Sequence, residues 1–159
     1  MQGEPDELLR RMRARSPAGF AIALHVSFTT PRYLLQAYDA GWLEAYSRKG
    51  YVMVDPTVRW GFQNEGTARW SALGLDDPEG VLAAAADQGM PYGVAMATTE
   101  GGSRSMASFA HSTREMSDLD VTALWADFRV LHRATHGTDR LAPEMHEALR
   151  QMSIFLTHA

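Results

Sequence analysis

Two pairs of short segments with strand-like character constrain the fold of this chain more than any other feature. In the first pair, residues 19–28 alternate large apolar side chains with other residues, and residues 32–36 follow as a hairpin partner. In the second pair, residues 92–98 and 105–112 are separated by a turn that contains two adjacent glycines. Strands joined by short turns pair antiparallel, so the sequence predicts a mostly antiparallel sheet.

Helical patterns surround these strands. Apolar residues recur at helical spacing in residues 6–15 and, most clearly, in residues 117–134. Residues 37–48 also favour a helix. The pairs Asp55-Pro56 and Asp77-Pro78 are typical helix starts, because Asp caps free N–H groups and Pro fits the first turn. The order helix, two strands, helices, two strands, helix predicts an α+β fold, an α-β-α sandwich whose central, mostly antiparallel sheet is flanked by helices.

The composition narrows the class of protein. A length of 159 residues suits one globular domain. No apolar run approaches the roughly 18 residues of a membrane span, and the N-terminus lacks the pattern of a secretory signal. The chain has no cysteine, which excludes disulfides and makes the cytoplasm the expected compartment. The net charge of −4 argues against a domain that binds nucleic acid by itself, and we expect no membrane partner.

A group of aromatic residues surrounds one carboxylate in the middle of the sequence. Tyr38, Trp42 and Tyr46 are four residues apart, which would place them on one face of the predicted helix, and Asp55 and Trp70 follow. Spacing alone favours an aromatic core stripe and a helix cap. The alternative is a small-molecule site, because buried Tyr and Trp need hydrogen-bond partners and binding pockets combine apolar walls with a few polar groups.

The spacing of this group is similar to that of a known family. The run Tyr38-x-x-x-Trp42-x-x-x-Tyr46-x-x-x-Gly50-Tyr51-x-x-x-Asp55-Pro56-Thr57-Val58, followed by Trp70 and Tyr92-Gly93, resembles the autoinducer-binding domain of LuxR-type quorum-sensing transcription regulators. The resemblance covers residues 38–134. It implies an N-acyl-homoserine lactone ligand, without a further cofactor, in a pocket between an antiparallel sheet and a helical layer.

The resemblance also implies a role for each residue of the site. The indole N–H of Trp42 would donate to the lactone carbonyl. The Tyr38 hydroxyl would donate to the acyl amide carbonyl, and the Asp55 carboxylate would accept from the amide N–H, which matches the one acceptor and one donor of an amide. The other residues would line the same pocket, with Tyr46 and Trp70 as walls and Thr57 and Ser108 as auxiliary hydroxyl contacts.

The buried carboxylate predicts a dependence of folding on ligand. A charge-assisted hydrogen bond to Asp55 contributes about 1.5–3 kcal/mol, and an unpaired buried carboxylate is costly. We therefore expect the empty domain to be poorly ordered, because ligand binding and folding are linked.

The resemblance divides the chain in two. Residues 1–137 are predicted to form the ligand-binding domain, and residues 138–159 a linker and the first helix of a helix-turn-helix DNA-binding domain, with that helix running from residue 143 to about residue 156. We expect a truncated regulator that forms a homodimer and reaches DNA only through a C-terminal domain absent from this chain. The alternative is a naturally short, DNA-binding-deficient regulator that pairs with a full-length relative.

No sequence pattern indicates catalysis or metal binding. His132 and His136 are four residues apart but lack the accompanying base and third ligand of a helical metal site. Ser103, Ser105 and Ser108 have no nucleophile-elbow pattern around them. A lactone hydrolase would need a nucleophile or a metal centre, so we predict no catalytic residue, no metal and no enzyme.

Overall fold

The computed structural model describes residues 5–137 and 155–158. Its described strands form one antiparallel sheet in the order β3-β4-β5-β1-β2-β6. Their bounds are β1 Gly19–Ser27, β2 Thr30–Gln36, β3 Gly66–Arg69, β4 Tyr92–Thr98, β5 Arg104–His111 and β6 Phe155–His158. Both predicted hairpins are present, and the predicted antiparallel sheet is confirmed.

Helices cover both faces of this sheet. Their bounds are α1 Pro5–Arg15, α2 Ala40–Arg48, α3 Pro56–Gln63, α4 Trp70–Leu73, α5 Val81–Asp87 and α6 Asp118–Thr135. Short 3-10 turns lie at Tyr51–Met53, Gly74–Asp76 and Glu100–Gly102. The α+β sandwich is thus confirmed. Within the described part of the chain, no helix is long and apolar enough to cross a membrane.

The alternation along β1 separates a packed core from a looser layer. Phe20, Ile22 and Leu24 are fully buried and belong to the core that α1 and α6 complete from one side of the sheet. Burial of each such side chain contributes about 1.5–3 kcal/mol. Ala21 and Ala23 point to the opposite face, because successive side chains of a strand alternate. That opposite face lies under α2 to α5 and carries small residues.

Two arginines of α1 form ion pairs with α6. Arg11 donates to the Asp127 carboxylate through Nη2 at 3.0 Å, and Arg15 donates to Asp120 through Nη1 at 2.8 Å. These ion pairs join α1 to α6 at the edge of the core. Partly exposed pairs of this kind contribute about 1 kcal/mol or less each, so they align the two helices more than they stabilise the fold.

Two helices begin later than the sequence predicts. Helix α2 starts at Ala40, because the Asp39 side chain accepts from the backbone N–H of Gly41 and caps it. Tyr38 therefore precedes the helix, and the predicted stripe of three aromatic residues on α2 is wrong for its first member. Helix α5 starts at Val81, although Asp77 still caps it by accepting from the N–H groups of Val81 and Leu82.

The prediction for the C-terminal segment is wrong where the structure tests it. Residues 143–154 of the predicted helix lie outside the described residues, but Phe155–His158 forms strand β6 along β2, with Leu156 opposite Leu35. Without it β2 would be an edge strand whose backbone N–H and C=O groups lack a sheet partner. Aromatic and β-branched residues favour such pairing. The division of the chain at residues 137 and 138 stays a prediction.

A histidine network joins the bulge in β1 to the end of α6. His25 has a left-handed φ of 55°, and its ring lies 4.5 Å from that of His132. Nε2 of His132 donates to the carbonyl of Glu100, and its Nδ1 lies 2.6 Å from Ser105 Oγ. The same Oγ accepts from the backbone N–H of His25. Nε2 of His25 faces the Thr135 hydroxyl.

The histidine network predicts that the folded domain becomes less stable in acid. Burial lowers the pKa of His25 to about 4 from its ordinary value of 6.5, and repulsion from His132 adds to the effect. The unfolded chain then binds more protons between these pH values, so the free energy of unfolding should fall as pH falls from 6.5 towards 4. His25→Asn, which tolerates the left-handed backbone, should flatten this slope in denaturant titrations at several pH values. Parallel curves for the two proteins would contradict this role of His25.

Candidate functional site

A cavity of about 440 Å³ separates the sheet from α2 and α3. Its floor is the face of β1, β2 and β5 that carries Ala21, Ala23 and Met106, and its roof comes from α2, α3 and α5. The volume lies within the range of about 300–1,000 Å³ that is usual for small-molecule sites. All the residues predicted for the site line this one cavity: Tyr38, Trp42, Tyr46, Asp55, Thr57, Trp70 and Ser108.

The Asp55 carboxylate is held by three donors from the protein. As the N-cap of α3, it accepts through Oδ1 from the backbone N–H of Thr57 at 2.8 Å and from the Thr57 hydroxyl at 2.7 Å. Oδ2 accepts from the Tyr46 hydroxyl at 2.8 Å. A carboxylate offers about four acceptor positions, so one position is left for a further donor.

This arrangement bears on the expected disorder of the empty domain. Asp55 is 8% exposed, yet its charge has partners that do not depend on a ligand. An empty site therefore leaves the Asp55 carboxylate paired, and the expected disorder of the empty domain lacks this cause.

Tyr46 is a hydrogen-bond donor as well as a wall. Burial, followed by the adjacent Asp55 charge, raises the pKa of the Tyr46 hydroxyl far above its usual value. The hydroxyl thus stays protonated and keeps donating to Asp55. Sequence spacing did not reveal this contact, because it depends on the turn at Tyr51–Met53 that brings α2 and α3 together.

Tyr38 and Ser108 meet at the sheet end of the cavity. The Tyr38 hydroxyl donates to the backbone carbonyl of Ser108 at 3.2 Å. Burial, followed by the charge of Asp55, raises the pKa of the Tyr38 hydroxyl. Tyr38 therefore presents a protonated hydroxyl to the cavity although it lies outside α2.

Trp70 orients Ser108. The Trp70 indole Nε1 donates to Ser108 Oγ at 2.8 Å, which leaves the hydroxyl proton of Ser108 available to another acceptor. The indole lies directly on β4 at Gly93, where a Cβ atom would stand only 2.2 Å from Trp70 Cε2. Strand β3 and helix α4, which bring Trp70 here, were missed by the sequence analysis because each spans only four residues.

Trp42 has a buried indole inside an aromatic cage. Its ring centre lies 5.8 Å from that of Tyr46 and 5.9 Å from that of Tyr51, and the side chain is 5% exposed. In the part of the chain that the structure describes, no residue accepts a hydrogen bond from the Trp42 indole N–H. A buried indole N–H normally has a partner, so this donor is available to a molecule in the cavity.

A second cavity adjoins the first at Trp70. It has a volume of about 360 Å³ and is lined mainly by residues of the loops around α4 and α5, including Gly74, Asp77 and Gly80. Apart from Trp70, none of the predicted site residues lines it. The polar groups of the predicted site residues converge in the larger cavity. Among residues 5–137 and 155–158, no cluster of three or more His, Asp or Glu side chains could hold a metal ion.

Comparison with models of protein families identifies the family to which the chain belongs. The model of the autoinducer-binding domain matches residues 17–138. The chain belongs to the autoinducer-binding domain family. This family is the ligand-binding part of LuxR-type quorum-sensing regulators, so the resemblance found in the sequence is confirmed.

The relatives of this autoinducer-binding domain are transcription regulators. The transcriptional activator protein SolR of Ralstonia nicotianae is 27% identical over 123 residues, which are 73% of this chain and 52% of SolR. SolR of Ralstonia solanacearum is 28% identical over 98 residues, 58% of this chain and 42% of that protein. The chain thus spans about half the length of the curated relatives it matches.

Two solved structures show the same fold. SdiA in complex with octanoyl-rac-glycerol has a TM-score of 0.61 at 18% identity, covering 95% of this chain and 70% of that one. CepR2 from Burkholderia cenocepacia, an N-acylhomoserine lactone dependent LuxR family transcription factor, has a TM-score of 0.52 at 19% identity, covering 83% and 89%. At these identities the likeness is one of architecture.

Proposed function

We propose that this autoinducer-binding domain senses an N-acyl-homoserine lactone as the ligand-sensing and dimerisation part of a LuxR-type regulator. The observation that carries the proposal is the set of free hydrogen-bonding positions among the aromatic residues that line the cavity. Trp42 has an unused N–H, Ser108 an uncommitted hydroxyl proton, and Asp55 one free acceptor position. An acyl-homoserine lactone offers two carbonyl acceptors and one amide donor, which complement these groups.

The proposal assigns each ligand atom a partner. The Trp42 N–H donates to the lactone carbonyl, and the amide N–H donates to Asp55. The amide carbonyl accepts from the Ser108 hydroxyl, which Trp70 keeps in place. It also accepts from the Tyr38 hydroxyl, whose proton turns from the Ser108 carbonyl to the ligand on binding. Thr57 acts by holding the Asp55 carboxylate, to which it donates twice.

The ligands named for the structural relatives are consistent with this proposal. CepR2 is described as dependent on N-acylhomoserine lactone, and SdiA was solved with octanoyl-rac-glycerol. Both molecules join an acyl chain to a small polar head. The cavity of this chain offers the same combination, a polar aromatic end and apolar walls that include Val58, Leu34 and Phe62.

The role of Trp42 is tested by Trp42→Phe. This change keeps an aromatic ring and removes the indole N–H, so affinity for intact decanoyl-homoserine lactone should fall roughly two- to tenfold. Affinity for the ring-opened acyl-homoserine, which lacks the lactone carbonyl, should fall much less. Titration calorimetry with both compounds and both proteins gives the coupling energy between the Trp42 N–H and the lactone carbonyl.

A matched variant keeps this test specific. Trp60→Phe changes a half-buried tryptophan on α3 that does not line the cavity and should leave both affinities unchanged. Equal losses for the intact and opened compounds in Trp42→Phe would remove Trp42 from the lactone contact. Absence of binding to either compound by the wild-type protein would overturn the proposed function.

The proposed function also concerns the full-length regulator to which this domain would belong. Because the matched SolR proteins are about twice as long as the matched regions, we assign DNA binding to a part of the regulator outside these 159 residues. We further propose a homodimer in the cytoplasm as the working form.

A further inference from the structure

The cavity continues past its polar end along the β1–β2 hairpin. In the pairing of β1 with β5, Ala21 lies opposite Ser108 at the polar end, and Val26 lies opposite Arg104. Ala21, Ala23 and Val26 all line the cavity, as does Thr29 in the hairpin turn. At a rise of about 3.3 Å per residue, the floor from Ala21 to Val26 is about 15 Å long once the bulge is allowed for.

Met106 closes one side of this floor. It faces the cavity from β5, and its Sγ lies so close to α3 that a Cβ atom on Gly61 would stand 2.9 Å from it. Arg104 Nη1 donates to the Asn64 carbonyl at 2.9 Å and holds the end of α3 against β5. The acyl chain of a ligand whose head group lies at the polar end would therefore run along β1 and β2 towards the hairpin turn.

Apolar side chains of the cavity lining and of the adjoining hairpin turn are exposed. Val52 and Phe62 line the cavity but are 53% and 38% exposed, and Thr29 in the turn is exposed as well. Phe28, next to Thr29, is 96% exposed. Exposed apolar groups that cluster at a cavity mark a binding surface more often than a fold requirement.

Phe28 is also unusual in its backbone. Its φ of 59° lies in the left-handed region, which bulky residues avoid and which Gly or Asn would adopt more easily. The side chain stabilises nothing in the folded domain, since it is almost fully exposed. Phe28 is the first residue of the two-residue loop between the paired Ser27 and Thr30, where tight hairpin turns require a positive φ. The turn therefore accounts for the backbone, and the exposed ring is left without a contact.

We propose that the site takes a long acyl chain, of about ten to twelve carbons, whose end emerges at the β1–β2 turn and is covered by Phe28. An extended alkyl chain with C–C bonds of about 1.5 Å advances about 1.3 Å per carbon, so this length matches the floor from Ala21 to Val26. The inference rests on the proposed function and specifies which ligands of that class are bound best.

The test measures affinity across a series of homoserine lactones with butanoyl, hexanoyl, octanoyl, decanoyl, dodecanoyl and tetradecanoyl chains. Wild-type affinity should rise severalfold with each pair of methylenes and level off at decanoyl to dodecanoyl. Phe28→Asn suits the left-handed backbone and should keep the thermal midpoint. This substitution should lower the affinity for dodecanoyl-homoserine lactone about tenfold. The affinity for the hexanoyl compound should be unchanged, since the shorter acyl chain does not reach the turn.

The control removes an equally exposed apolar side chain elsewhere. Leu75→Asn, at a leucine that is 94% exposed and does not line this cavity, should leave the whole series unchanged. Affinity that peaks at butanoyl or hexanoyl, or a Phe28→Asn loss equal for short and long chains, would overturn the inference and leave the proposed function standing. Failure of every compound to bind wild-type protein would overturn both.

Discussion

Replacing Gly93 with alanine is expected to destabilise this domain and to weaken ligand binding. The added Cβ would stand 2.2 Å from Trp70 Cε2 and 2.4 Å from Cδ2, so the rigid indole must leave β4. Gly93 pairs with Ala110 of β5, and β4 lies between β3 and β5, so its backbone has little room to yield. Such overpacking typically costs about 1–3 kcal/mol, and here it also breaks the hydrogen bond from Trp70 to Ser108.

The loss should therefore appear in both stability and binding. In chemical denaturation the midpoint of Gly93→Ala should fall while the slope is kept, and affinity for decanoyl-homoserine lactone should fall at least tenfold because Trp70 no longer bounds the cavity. Gly74→Ala is the matched control. A Cβ at Gly74 would meet its nearest atom at 3.9 Å, and its φ of −67° suits alanine. If the two variants behave alike, the close approach of Trp70 to β4 is not the cause.

Asp55→Asn is expected to separate binding from folding. Asn is also a good N-cap, and its amide oxygen can still accept from the N–H and hydroxyl of Thr57. Its NH2 group can donate to the Tyr46 hydroxyl, which donates to Oδ2 in wild type, so the free energy of unfolding should fall by only about 1 kcal/mol. The carboxylate charge is lost, however, and the ligand amide N–H gives up a charge-assisted bond that contributes about 1.5–3 kcal/mol. Affinity for decanoyl-homoserine lactone should fall about ten- to a hundredfold.

The chain offers a close control for this substitution. Asp39 caps α2 in the same way, by accepting from the N–H of Gly41 at 2.9 Å, but it is exposed and does not line the cavity. Asp39→Asn should leave affinity unchanged. Wild-type affinity in Asp55→Asn would show that the carboxylate does not receive the ligand amide.

The parts of the fold that local chemistry determines were predictable from the sequence. Asp55 followed by Pro56 starts α3 where predicted, and the predicted strand at residues 92–98 coincides with β4. Alternation and capping act over a few residues, so both are visible without tertiary information. The same holds for Ser117, whose side chain accepts from the N–H of Asp120 at the start of α6.

The parts that depend on distant contacts were not predictable. Tyr38 was placed on a helix, because its four-residue spacing to Trp42 resembles a helical stripe, whereas it lines the cavity from the segment before α2. The hydroxyl of Tyr46 reaches Asp55 only after α2 and α3 have packed. Phe155–His158 forms a strand because β2 offers it a free edge, a property of the sheet and not of that segment.

The two faces of β1 have an evolutionary consequence. Phe20, Ile22 and Leu24 contribute to the buried core, while Ala21 and Ala23, one position away, contact only the cavity side of the sheet. Substitution at Ala21 or Ala23 changes the space open to a ligand and leaves the packing on the other side intact. Ligand specificity can therefore change in evolution by single substitutions in this strand, without prior stabilising changes elsewhere in the domain.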